Sequence, residues 1–159
     1  MVWTTTYVKK LRYLIGDIDA VPTYTHDQLQ NFLAVAAEYV FDATSIYGIT
    51  GFVVSFAAEP ATITPDPQDT APIAISNLIC LYAACLITGY EVKMMLVSSG
   101  LKIIDNKSTI DLTGKASSAK LKQNSLDMFK KQYEEVLNDF ELGNRYAGCG
   151  IFNIYESNN

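Results

Sequence analysis

The chain has 159 residues, 49% of them apolar and 18% charged, and its 12 basic and 17 acidic side chains give a formal charge of −5. A chain of this length buries about 70% of its unfolded surface and needs neither disulfides nor a metal to fold. Its modest charge and 11% aromatic content exclude intrinsic disorder, and an acidic total with only two arginines, Arg12 and Arg145, argues against a module that grips many phosphates.

Thr4 is expected to cap a first short helix in which Val8, Leu11 and Ile15 fall at helical spacing, with Gly16-Asp17 as its stop. Thr25-His26-Asp27-Gln28 has the form of a capping box, in which the Thr25 hydroxyl and the Gln28 side chain satisfy each other's free backbone N–H groups. Tyr24 and Leu29 stand where a hydrophobic staple would, and Leu29, Phe32, Leu33, Ala36 and Val40 make one apolar stripe, so a second helix is predicted over about 25–44. Phe52 to Phe56 and Ala61 to Thr64, joined by a turn at Glu59-Pro60, read as a hairpin. A third helix is expected after Asp69, apolar almost all round through Ile75, Leu78, Ile79, Tyr82, Ala83, Leu86 and Ile87, with Gly89 as a break or bend. Leu101 to Leu112 alternate with period two about Asp105 to Ser108 and suggest a second short hairpin. From about Lys115 a long fourth helix follows, with Leu126, Phe129, Tyr133, Val136, Leu137 and Phe140 at three-four spacing and Gly143 as its end. The expected fold is therefore mainly α: a four-helix bundle with a long C-terminal helix, one or two short β-hairpins and an extended C-terminal tail. Residues 1–143 would form the helical domain and 144–159 an extension.

The charge is segregated along the chain: +3 over 1–12, −9 over 13–92, where there is no Lys or Arg, +5 over 93–131 and −4 over 132–159. Such segregation fits solvated faces, and equally fits complementarity between neighbouring copies. Three cysteines, Cys80, Cys85 and Cys149, lack paired spacing and read as reduced thiols in a cytosolic setting. Residues 73–90 approach membrane length but contain Ser76, Asn77 and Thr88 without a basic N-terminal flank, so a buried core helix is expected rather than a membrane span. The first residues lack the pattern of a secretory signal.

Chemistry-bearing motifs are missing. His26, the single histidine, falls in the first turn of a capped helix, where a local polar role is expected. The carboxylate pairs Asp17/Asp19, Asp66/Asp69 and Glu134/Glu135 fall in predicted turns or on a solvent face, and none has the spacing of a calcium loop. No glycine-rich phosphate cradle, GxSxG, HExxH or CxxC is present, so neither enzymatic activity nor a cofactor is expected. Lys115, Lys120, Lys122, Lys130 and Lys131 make the fourth helix basic. That helix, as predicted to Gly143, contains no arginine, and its lysines suit a solvated face, an acidic protein partner or, less well, nucleic acid.

Leu11-Arg12-x-x-Ile15-Gly16-Asp17, then Thr25-x-x-Gln28-Leu29, Thr62-Ile63-Thr64-Pro65, an apolar helix, Gly100-Leu101-Lys102-Ile103 and a long helix ending in Leu142-Gly143 form a familiar order. Over about residues 7–143 it resembles the head-to-tail connector (adaptor) proteins of tailed bacteriophages. The resemblance implies a virion protein of the neck, assembled in the host cytoplasm as a homo-oligomeric ring, usually of twelve copies. Such a ring joins the portal protein to a tail, nozzle or stopper protein, and genome DNA passes through it without sequence-specific binding. Carried onto this chain, portal contact would fall on Tyr146, Ile151, Phe152, Ile154 and Tyr155, and tail contact on Phe52, Val53, Val54, Phe56 and Ile63. Contact between copies would use the basic residues Lys93, Lys102, Lys107, Lys115, Lys120 and Lys122. The alternative is a helical interaction or regulatory module that forms a small oligomer outside any virion.

Overall fold

The computed structural model describes residues 3–100 and 112–148. The fold is mainly helical, and its first helix, α1 (Trp3–Ile15), begins one residue before the expected cap at Thr4. Its free N-terminus is met from across the molecule, where the Trp3 backbone N–H donates to Asp66 Oδ2 at 3.0 Å. Gly16 closes α1 in the left-handed conformation (φ 74°), and the Asp17 N–H reaches back to the Arg12 carbonyl at 3.0 Å, as a glycine stop requires.

The second helix, α2 (His26–Thr44), carries the predicted capping box in full: Thr25 Oγ1 accepts from the Gln28 N–H at 3.2 Å and Gln28 Oε1 from the Thr25 N–H at 2.9 Å. The Tyr24 ring packs edge-on against Phe32, with centroids 6.3 Å apart. A single 3-10 turn (Ser45–Tyr47) ends at Gly48, again left-handed, and leads into β1 (Val53–Ser55). β1 pairs antiparallel with β2 (Thr62–Thr64) in the register Val53 to Thr64, Val54 to Ile63 and Ser55 to Thr62, which is the predicted hairpin.

Between hairpin and core helix lies an unforeseen short helix, α3 (Pro67–Thr70), capped by Asp66 Oδ1 on the Gln68 N–H at 2.9 Å with Pro67 in its first turn. Helix α4 (Ile73–Gly100) then runs without interruption through Gly89. The expected break is absent because Gly89 keeps ordinary helical backbone, and the glycine penalty of about 1 kcal/mol is small beside the packing on either side. By length and composition α4 would cross a membrane, yet half of its apolar stretch is buried inside the protein. Ile75, Leu78, Ile79, Ala83, Ala84 and Ile87 have no accessible surface and form the centre of the core.

Helix α5 (Leu112–Gly148) is longer at both ends than its apolar pattern suggested. Leu112, read as the end of a second hairpin, opens the helix, and Gly143 lies within it, so the 143/144 division falls inside a helix. Residues 101–111, the rest of that hairpin, lie outside the described residues. α5 packs along α4 through Leu126 and Phe129, and α2 packs on α4 as well. The tilted ring contacts Tyr39 to Tyr82 (5.4 Å) and Tyr82 to Tyr133 (5.3 Å) cross from α2 over α4 to α5.

Candidate functional site

The corner between α1 and α2 holds a polar cluster that local sequence rules did not reveal. Asp17, expected as a surface turn carboxylate, is buried. It accepts from Arg12 Nη1 at 2.5 Å, from the Thr23 N–H at 2.6 Å and from the Tyr24 N–H at 3.4 Å, while Arg12 Nη2 donates to the Tyr24 carbonyl at 2.8 Å. Nearby, the Tyr24 hydroxyl donates to Glu91 Oε1 at 2.8 Å, and the other Glu91 oxygen takes Lys122 Nζ at 2.6 Å. Burial first, then the bond to Glu91, push the Tyr24 phenol well above its usual range. Each of these groups is satisfied by another part of the same chain, which marks the cluster as structural.

Among the described residues no three metal-ligating side chains converge, and His26 is exposed in the first turn of α2. Cys80 is buried, with its thiol pushed up to about 12 by burial, and Cys85 is half-buried with its pKa raised for the same reason. Both thiols are free. Cys149 lies outside the described residues.

The surfaces are more informative. β2 is pinned to α2 by Gln30 Nε2 donating to the Ala61 carbonyl at 2.8 Å and by the Ala61 N–H donating to Asn31 Oδ1 at 2.9 Å. Phe52 stacks on Phe41 with centroids 4.3 Å apart, and Ile63 is buried in the core. Of the five hairpin candidates, therefore, Phe52, Val54 and Ile63 face inward or are half-covered, whereas Val53 and Phe56 are exposed, at 63% and 51%. The two-residue period turns Ile63 to the core side of the sheet. Between α2 and the hairpin runs a groove of about 460 Å³ lined by Glu38, Phe41, Asp42, Ile49, Phe52 and Val53 among others.

Among the basic candidates, Lys93 and Lys120 are exposed, but Lys122 is engaged by Glu91 within its own chain. Lys115 belongs to α5, as does Tyr146, which therefore stands on a helix rather than in a tail. Lys102, Lys107, Ile151, Phe152, Ile154 and Tyr155 lie outside the described residues. Two sets of exposed apolar side chains escaped sequence reasoning: Tyr90, Met94, Leu96 and Val97 late in α4, and Leu121, Met128 and Leu142 on α5. The second set was legible as a multiple-of-seven spacing, distinct from the buried stripe that begins at Leu126. No protein-family model matches the chain, and no curated protein or solved structure is significantly similar to it.

Proposed function

We propose that the chain is a structural virion subunit, a head-to-tail connector that forms a ring between the portal and the tail of a tailed bacteriophage and surrounds the channel for the genome. The observation that carries this reading is the order of elements: a short α1, a capped α2, a hairpin, the apolar α4 and a long final α5. The resemblance to connectors rests on this order together with a hairpin at Gly100-Leu101-Lys102-Ile103, of which 101–103 lie outside the described residues, and a last helix ending at Leu142-Gly143, which α5 overruns. Val53, Leu121 and Met128 are exposed and so available to the contacts between copies that a ring needs.

In this reading the hairpin tip with Phe56 meets the tail component, and the segment beyond α5, with Ile151, Phe152, Ile154 and Tyr155, meets the portal. The acidic, arginine-poor body suits a channel that DNA must traverse, because tight DNA binding draws on the release of counterions by cationic side chains. The test is to incubate the purified chain with the portal of its phage and image the product. A closed ring on one end of the portal is expected, lost when 149–159 are deleted, and a portal that stays bare at low salt would refute the reading.

A further inference from the structure

A ring needs two different faces on each copy, and the structure offers two on different elements. The first is the groove between α2 and the hairpin, with exposed Glu38 and Asp42 on its helical wall and Val53 on the other. Neither acid has a salt-bridge partner among the described residues, and no Lys or Arg occurs anywhere in 13–92 to supply one locally. The second is an exposed seam along the flank of α5, where Leu121 also borders a pocket with Leu14 and Ile15 of α1. Leu121 and Met128, at 67% and 49% exposure, stand two turns apart, about 10 Å along the helix. Lys120 adjoins the first, and Lys131 lies one turn past the second, both exposed. Among the described residues Lys131 pairs with exposed Glu135 at 3.8 Å, a contact worth too little to hold it.

We propose that the α5 seam of one copy, Leu121 and Met128 flanked by Lys120 and Lys131, seats in the acidic groove between α2 and the hairpin of a second copy. The two apolar side chains enter a groove whose floor includes Phe41 and Ile49, and the lysines meet Glu38 and Asp42. Charge complementarity selects this occupant: the groove wall carries Glu38 and Asp42, and the exposed seam of α5 over 120–131 carries Lys120 and Lys131 against one acid, Asp127. Because the two faces differ, the contact is heterologous and propagates from copy to copy rather than ending at a dimer. Val53 then belongs to the contact between copies, which leaves Phe56 free for the tail side.

This inference rests on the connector reading for its need of a ring, but its test uses the chain alone. At about 100 μM and low salt the protein should form oligomers visible by sedimentation and native mass spectrometry, and high salt should weaken them. The variants E38K/D42K and K120E/K131E should each associate about a hundredfold more weakly, since like charges then face each other. An equimolar mixture of the two should assemble again, because both kinds of contact are once more opposite in sign. Leu121→Asp should also weaken association while its circular dichroism and melting stay near those of the parent. A parent chain that remains monomeric, charge reversals without effect, or a mixture that fails to assemble would each overturn the proposal. Intact self-association with no portal binding would instead overturn the connector reading and leave this contact standing.

Discussion

Replacing Asp17 by Ala should cost about 3 kcal/mol, the lower end of what breaking a buried ion pair costs. The low end applies because Asp17's side chain is 7% exposed but Arg12's is 21% exposed, so the stranded guanidinium can recover some water. Two backbone N–H groups, of Thr23 and Tyr24, lose their acceptor in the same substitution. With a urea dependence of about 2 kcal/mol per M, the unfolding midpoint should fall by about 1.5 M. Asp17→Asn keeps the shape and one carbonyl but loses the charge, and should fall between parent and Ala variant. A double-mutant cycle with Arg12→Ala isolates the pair, and a coupling of about 2 kcal/mol is expected for groups in one network. If Asp17→Ala moved the midpoint by less than about 0.3 M, Asp17 would be an ordinary surface carboxylate and the α1–α2 corner would be held by something else.

Gly89→Ala should stabilise the protein by about 0.5–1 kcal/mol, since the new Cβ meets only Leu126 Cδ2 at 4.0 Å, and a thermal melt that drops would contradict this. In native buffer Cys85 should react with a thiol reagent well before Cys80, and equal rates would show that the core at Tyr7 and Cys80 opens readily. Tyr7 is buried, and its phenol is pushed up to about 12 chiefly by desolvation, with Ser76 opposing. The folded state therefore holds this proton more tightly than the unfolded chain. The stability it contributes is complete below about pH 10 and is lost as pH rises from there to about 12. Urea midpoints taken across that window should fall, and Tyr7→Phe should flatten the fall; an unchanged slope would assign it elsewhere.

What the sequence revealed and what it hid divide along the range of the interactions. The Thr25–Gln28 capping box and the Gly16 stop were legible because they are bonds between residues three to five apart. The hairpin was legible as two β-branched runs with a proline turn, and α4 as the helix that the others surround. Gly89 and Gly143 misled in the same way: glycine marks a helix end only where the backbone turns left-handed, as at Gly16 and Gly48, and no local pattern distinguishes those cases. Leu112 opens α5, a period-two reading overruled by the helix that follows it. The Glu91–Lys122 and Trp3–Asp66 contacts join residues 31 and 63 apart, and depend on a packing that composition does not contain. Nor could alternation decide which side of the hairpin faces α2, so Ile63 and Val53 looked equivalent until the Phe41–Phe52 stack fixed the orientation.

A chain that acts as the proposed connector completes a ring on a portal, and electron cryomicroscopy of the chain mixed with a phage portal shows whether it does. An added ring of helical subunits coaxial with the portal channel is expected, with α2 of each copy beside α5 of the next. Portal particles without added density, at low salt and with excess chain, would contradict it.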